Sequence, residues 1–177
     1  EPNPPLSRRW KGMPSHPRRK CNCIRCREVG LRTRTLDEVP DPTDLTLEIE
    51  KYTAAEGIEY FISLENKSQG LLFGFLRLRI PSLRIHRPEI REKNAAIVRE
   101  LHVYGTLVEV GKSPTDNFFQ WQHRGLGTQL LEKAERIAHD DHAAKRILIT
   151  SGVGVREYYR TRGYELIGPY MMKALDF

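Results

Sequence analysis

The spacing of apolar residues changes once along this chain, from a strand-like alternation to a helix-like repeat. Before the change, Leu45, Leu47 and Ile49 alternate with polar residues, and apolar runs follow at 60–64 and 71–80. A meander of strands followed by a long amphipathic helix predicts a mixed α/β (α+β) domain with a mostly antiparallel sheet and flanking helices. The helix is predicted from apolar residues that share one face: Leu126, Leu130, Leu131, Ala134, Ile137 and Ala138.

Shorter patterns complete the predicted order of elements. A polar turn over 66–70 joins the second and third strands, and Gly74 within the third indicates a bulge or a close packing contact. A polar loop is predicted for 81–94. Gly163 marks the end of a short helix. Strands are expected at 95–104, 107–110, 147–150, 164–167 and 170–174, and the short helix at 155–162.

The apolar runs are too short for a membrane protein. The longest, at 71–76, falls well below the ~20 residues that a spanning helix needs. The N-terminus shows no pattern of a signal peptide. Since the chain opens at Glu1 with a proline-rich stretch, we expect it to be a piece of a longer protein.

Positive charge is concentrated at the N-terminus. The net charge is +6, but residues 1–34 hold ten Lys and Arg against two Glu, a net +8, and the remainder carries −2. Such a block favours a polyanion such as nucleic acid, and the alternative is a solvated basic tail. We predict a basic, proline-rich segment over 1–40 and a globular domain over 41–177. The residues predicted to bind RNA are Arg8, Arg9, Lys11, Arg18, Arg19 and Lys20.

All three cysteines of the chain, Cys21, Cys23 and Cys26, lie within this basic segment. Three clustered thiols without a secretion signal do not indicate a disulfide framework. Three soft ligands on one tight loop favour zinc, with His16 or a residue outside this chain as the fourth ligand. Three ordinary reduced thiols and part of an iron–sulfur ligand set are the alternatives.

The residues directly before the long helix form the pattern Q-x-x-G-x-G, at 122–127. Backbone N–H groups at a helix start are unpaired, and the helix dipole adds partial positive charge there. Glycines let such a backbone approach a pyrophosphate without obstruction by a Cβ. The spacing fits neither a P-loop nor a dinucleotide fingerprint, and a capped helix start is the structural alternative.

This turn, with the strand and the tyrosine-bearing helix that follow, resembles the GNAT acetyltransferase family. Within it the chain is similar to the Elongator catalytic-subunit family, and the clustered cysteines resemble the archaeal or bacterial branch. The blocks that carry this similarity are 25–30, 100–105, 134–138, 151–160 and 163–171.

The resemblance implies an acetyl-CoA site. Backbone N–H groups of residues 101–103 would hold the thioester carbonyl, on a strand that separates from its neighbour. Tyr158 or Tyr159 would protonate the departing thiolate, with Tyr159 favoured, and Glu100 would orient or activate water. The alternatives are core packing for both tyrosines, an ion pair for Glu100 and a structural role for His102. The implied coenzyme-binding residues are Glu100, Leu101, His102, Val103, Trp121, Gln122, His123, Arg124, Gly125, Leu126, Gly127, Thr128 and Tyr159.

The family's activity is carboxymethylation of the wobble uridine of tRNA at C5, with acetyl-CoA as the two-carbon donor. The resemblance therefore implies tRNA as partner, a cytoplasmic location, and a radical S-adenosylmethionine domain with a [4Fe-4S] cluster, expected outside this chain. The alternatives are a protein lysine N-acetyltransferase and a tRNA-binding module without catalysis. One departure from GNAT domains is expected, because only residues 53–59 separate the first two strands, which leaves no room for the usual helices.

Overall fold

A single seven-stranded sheet organises the computed structural model, which describes residues 21–32, 40–82, 84–91, 94–104 and 125–176. The strand order is β1-β2-β3-β4-β5-β7-β6, and every neighbouring pair is antiparallel except β4–β5. This confirms the predicted mixed, mostly antiparallel sheet. The strands are β1 Thr46–Ala54, β2 Gly57–Asn66, β3 Leu71–Ile80, β4 Ala95–Val103, β5 Arg146–Thr150, β6 Glu165–Ile167 and β7 Tyr170–Ala174. The strand predicted at 107–110 lies outside the described residues.

The helices flank this sheet. None in the described ranges has both the length and the apolar character that crossing a membrane requires. The sequence patterns do not predict the three one-turn helices at 24–27, 29–32 and 88–91. The helices are α1 Ile24–Arg27, α2 Val29–Arg32, α3 Pro88–Arg91, α4 Leu126–Arg136 and α5 Arg156–Arg160. A π-helical turn, Ile137–Asp141, extends α4, and a 3₁₀ turn, Val153–Val155, precedes α5.

The β1–β2 connection is a tight hairpin. Its two turn residues, Ala55 and Glu56, have φ values of 44° and 59°, the left-handed backbone that two-residue hairpins require. No helix lies between these two strands, as the spacing predicted.

The main core lies between α4 and one face of β2–β4. Leu130, Leu131 and Ala134 of α4 are fully buried against apolar residues of these strands. Gly74 makes this approach possible, since a Cβ there would lie 2.9 Å from the His102 carbonyl oxygen and 3.4 Å from Leu130 Cδ1. The β2–β3 register also shifts beside Gly74, so the close contact and the irregularity predicted there are both confirmed.

The opposite face carries a smaller core and a polar cluster. Ile90 of α3 covers Ile97 and Leu148, while further along the sheet the Phe75 ring stacks on Phe61 and His102. Three arginines surround one buried carboxylate, that of Glu59. They are Arg77, Arg79 and Arg99.

The described part of the basic N-terminal segment packs on the sheet. Val29 is fully buried in the main core, and Arg27 forms a 2.6 Å ion pair with Glu65. The backbone of Glu28 forms an isolated parallel β-bridge with Leu72 of β3. Residues 21–32 are therefore continuous with the domain, although the boundary at residue 40 stays a prediction.

Candidate functional site

Strands β4 and β5 separate in the middle of the sheet. Their parallel pairing covers only Ala95–Val98 against Arg146–Ile149, and β4 then continues to Val103 beside β3 alone. The separation coincides with a bulge, because Val98 and Glu100 face consecutive β3 residues while Arg99 is skipped. Residues 101–103 thus lie on the separated part of β4, where no described strand pairs with them on the β5 side.

The N-terminus of α4 faces this separation. Gly125 precedes the helix with φ 77° and ψ 13°, and no side chain of the described residues caps the helix start. The N–H groups of the first turn are orphaned by helix geometry, so they offer donors and partial positive charge to an anion. Leu126 is buried in the core and fixes the orientation of this turn.

Gly127 is the point where three elements meet. A Cβ on this residue would lie 2.5 Å from the Tyr158 hydroxyl oxygen of α5 and 3.4 Å from Val103 Cγ2 of β4. The structure therefore brings together three of the residues proposed from the sequence, on one side of the sheet. The Tyr158 hydroxyl is buried and has no hydrogen-bond partner among the described residues.

The two tyrosines lie opposite to the placement expected from the sequence. Tyr159, which the sequence favoured for the site, is 6% exposed in the main core and packs edge-on against Tyr164. Burial raises the pKa of the Tyr159 phenol. Tyr158 instead points its hydroxyl at Gly127, so the geometry supports Tyr158 as the functional tyrosine.

Arg162, which the sequence analysis did not identify, connects α5 to the start of α4. Its guanidinium carbon lies 3.6 Å from the centroid of the Tyr158 ring, and its Nε donates to Thr128 Oγ1 at 2.9 Å. Its Nη1 donates to the Tyr158 carbonyl oxygen at 2.7 Å. Its position four residues after Tyr158 could have indicated a contact between the two, but nothing in the sequence indicates the hydrogen bond to Thr128.

The side chains of Glu100 and His102 lie on the other face of the sheet. Glu100 pairs with Arg77 at 3.5 Å and with His102 at 3.1 Å, and His102 stacks on Phe75. Leu101 and Val103 pack toward α4. Glu100 thus forms the ion pair that was its structural alternative, while its catalytic role and the role of His102 stay predictions.

Several predicted site residues fall outside the described residues. The four at the turn are Trp121, Gln122, His123 and Arg124. The residues predicted to bind RNA are Arg8, Arg9, Lys11, Arg18, Arg19 and Lys20. The candidate fourth zinc ligand is His16. Their roles stay predictions.

The three cysteines converge at the start of α1. The sulfur atoms of Cys21, Cys23 and Cys26 lie within 4.8 Å of one another, and all three residues are exposed. The Cys26 backbone N–H, followed by the neighbouring thiols, lowers the pKa of Cys23, whereas hydrogen bonds with Cys23 and Cys21 raise the pKa of Cys26 to about 11. Tetrahedral Zn–S bonds of ~2.3 Å put sulfurs ~3.8 Å apart, so the cluster fits a metal after small shifts.

Known proteins are similar to this chain over the candidate site and most of its length. Residues 119–174 match the acetyltransferase (GNAT) domain family. The chain is 46% identical to the tRNA uridine(34) acetyltransferase of Methanocaldococcus jannaschii over 157 residues, which cover 89% of this chain and 28% of that protein. It is 47% identical to Elongator complex protein 3 of Schizosaccharomyces pombe over 156 residues, or 88% of this chain and 28% of that protein.

A solved structure agrees with the sequence comparisons. Elp3 from the archaeon Methanocaldococcus infernus, with residues 1–46 deleted, superposes with a TM-score of 0.75 and 45% identity, covering 87% of this chain and 35% of that one. The chain thus spans less than a third of the full-length relatives described above. Because archaeal and fungal relatives are equally similar, identity does not distinguish the branches. The chain is a GNAT acetyltransferase domain of the type carried by tRNA uridine(34) acetyltransferases and Elongator complex protein 3.

Proposed function

We propose that this chain is the acetyl-CoA-binding domain of an enzyme that carboxymethylates the wobble uridine of tRNA. The observation that carries the proposal is the convergence of the separated β4 end, the α4 start and the Tyr158 hydroxyl at Gly127. Support for the substrate comes from two archaeal relatives that are named tRNA uridine(34) acetyltransferase and align over 88–89% of this chain.

Different parts of the chain bind different groups of acetyl-CoA in this proposal. N–H groups at the start of α4, together with residues 121–124, hold the pyrophosphate, aided by the helix dipole. Unpaired backbone N–H groups among residues 101–103 stabilise negative charge on the thioester oxygen. Gly127 leaves the space that lets the Tyr158 hydroxyl lie beside this strand.

Tyr158 is proposed as the general acid. When water adds to the thioester carbonyl carbon and the C–S bond breaks, the electron pair of that bond stays on sulfur and the acyl group leaves as a carboxylate. The phenol supplies the proton that converts the thiolate to a thiol. The buried Tyr158 hydroxyl has no hydrogen-bond partner in the described part of the chain, which is costly in the free protein and supports its use as a donor to a bound group.

The N-terminal segment is proposed to bind tRNA and zinc. The basic residues over 1–34 supply phosphate contacts, and Cys21, Cys23 and Cys26 supply three zinc ligands, a set that fits the observed sulfur spacing. The iron–sulfur chemistry belongs, in this proposal, to a radical S-adenosylmethionine domain of the same protein outside this chain. The cytoplasmic location follows from the tRNA substrate.

A protein lysine N-acetyltransferase is the less supported alternative. The aligned relatives are named for tRNA uridine and for Elongator, and the basic N-terminal block does not suit a cationic peptide. The intact turn at Gly125 and Gly127 also argues against a decayed, non-catalytic module.

The test compares acceptors for the full-length protein. Acetyl-CoA cleavage is measured alone, with tRNA and with a lysine peptide. We expect cleavage to rise with tRNA and not with the peptide, and calorimetry on this chain to show coenzyme binding. Acetylation of the peptide without any effect of tRNA would replace the proposal with the alternative.

A further inference from the structure

We propose that Arg162 is a positioning residue that orients Tyr158 for proton transfer and stabilises the phenolate that the transfer leaves behind. This inference rests on the proposed function, since it concerns how the acid of that reaction is held. Arg162 belongs neither to the Q-x-x-G-x-G turn nor to the strand that separates.

The contacts of Arg162 fix its guanidinium over the Tyr158 ring. The Cζ atom lies 3.6 Å from the ring centroid, well within the range of a cation–π contact. Three hydrogen bonds hold the group there, at 2.7 to 3.0 Å. The acceptors are Thr128 Oγ1, the Tyr158 carbonyl oxygen and Thr161 Oγ1.

The backbone around Arg162 makes this placement rigid. Helix α5 ends at Arg160, the Arg162 N–H donates to the Tyr159 carbonyl at 2.9 Å, and Gly163 reverses the chain with φ 82°. The guanidinium therefore has few alternative positions, and Tyr158 is confined between Arg162 on its face and Gly127 at its hydroxyl.

The charge of Arg162 suits the chemistry at Tyr158. Proton donation leaves negative charge on the phenol, and a cation over the ring favours that state more than the neutral phenol. The planar guanidinium also combines stacking with directed hydrogen bonds, which an ammonium cannot do. The contact thus acts on the proton-transfer step through Tyr158.

The test is a double-mutant cycle in the full-length protein, measured as steady-state acetyl-CoA cleavage with tRNA. Arg162→Leu should lower kcat by roughly 3- to 30-fold, the range expected for loss of a cation–π contact, with a smaller change in KM. In the Tyr158→Phe background, Arg162→Leu should not lower kcat further, because Phe keeps the aromatic ring but has no hydroxyl proton to transfer. Arg162→Lys should restore part of kcat.

The matched control is Arg160→Leu, which removes an arginine two positions away whose partner is the exposed Glu157. It should leave kcat unchanged. An equal loss from Arg162→Leu in both backgrounds would show a purely structural role, and a rise in KM alone would show a contact to the coenzyme phosphates; either overturns the inference. Normal turnover of Arg162→Leu overturns it and leaves the proposed function standing. An unsubstituted protein that cleaves no acetyl-CoA with tRNA overturns both.

Discussion

The Tyr158 hydroxyl oxygen lies 2.5 Å from the point that a Cβ on Gly127 would occupy. No side chain larger than hydrogen fits at position 127 while Tyr158 stays in place. The contact links α5 to the first turn of α4, so the tyrosine and the proposed pyrophosphate site depend on each other for their geometry.

Gly127→Ala should therefore destabilise the protein, although Gly to Ala within a helix ordinarily stabilises by about 1 kcal/mol. We expect a loss of about 1–3 kcal/mol from overpacking against Tyr158, together with weaker acetyl-CoA binding. Urea unfolding and calorimetry measure the two effects. Gly154→Ala is the control, since a Cβ there meets nothing within 4 Å. A stabilised Gly127→Ala protein would contradict the packing described here.

Tyr158→Phe should raise the stability of the protein while lowering its turnover. The change removes a buried hydroxyl that has no hydrogen-bond partner among the described residues, so the coenzyme-free protein should become more stable by about 1 kcal/mol. Turnover should fall by about 10²–10⁴-fold, the usual contribution of a general acid. Tyr159→Phe, on the core side of α5, should retain turnover. Loss of turnover in Tyr159→Phe alone would reverse the assignment.

Glu59→Gln should make stability less dependent on pH in the acidic range. Burial alone would raise the pKa of Glu59, but hydrogen bonds from Arg79 and Arg99 outweigh it and lower the pKa. A lowered pKa gives stability that is present above the unfolded value, near 4.3, and is lost as pH falls through the folded value. We expect a cost of about 2–4 kcal/mol at pH 7, shrinking below pH ~4.

The control for this measurement is Glu48→Gln, which breaks only the exposed ion pair with Lys67. It should cost less than about 1 kcal/mol at any pH. Denaturant unfolding of the three proteins between pH 3 and 7 gives the comparison. A constant difference between Glu59→Gln and the unsubstituted protein across that range would exclude the linkage.

Cys23→Ser should abolish metal binding. Cys23 shares hydrogen bonds with both neighbouring cysteines, and losing one of three clustered ligands commonly prevents tight zinc binding. Elemental analysis should find about one zinc per unsubstituted chain and none in the variant. Asn22→Ala, between two of the cysteines, serves as the control. Equal metal content in Cys23→Ser would place the metal elsewhere.

Replacing the N-terminal basic residues with alanine should weaken tRNA binding and reduce its salt dependence. Each lost phosphate contact should lower the slope of log K against log salt by ~0.7–0.9. Titrations at several salt concentrations provide the slope. An unchanged slope would mean that the block is a solvated tail. The residues to replace are Arg8, Arg9, Lys11, Arg18, Arg19 and Lys20.

The long elements were predictable because local signals enclose them. β3 occupies 71–80, as predicted, since a turn ending at Gly70 precedes it and Pro81 follows. α4 begins at Leu126 because Gly125 adopts a left-handed backbone just before the apolar repeat. One-turn helices such as α1 escaped prediction because four residues contain no helical period. Ile49 is 43% exposed although its alternation predicted burial, because it lies on an edge strand.

The orientation of the tyrosines could not be predicted from spacing. Two adjacent helical residues point about 100° apart, but the absolute direction depends on how the chain enters the helix. The 3₁₀ turn Val153–Val155 sets that entry, and no periodic signal marks it. Arg162 was missed for a related reason, since its partner Thr128 is 34 residues away in the sequence.

Among the described strands, the separation of β4 from β5 leaves an unpaired edge in the interior of the sheet as well as at β1 and β6. Exposed strand edges are templates for aggregation, and proteins usually blunt them with charges or cover them. Here the edge lies beside Gly127 and Tyr158, between two helices, and not at the rim of the sheet. In the proposed coenzyme site, this arrangement would leave a strand able to pair with a narrow, extended ligand while the flanking helices shield it from the strands of other molecules.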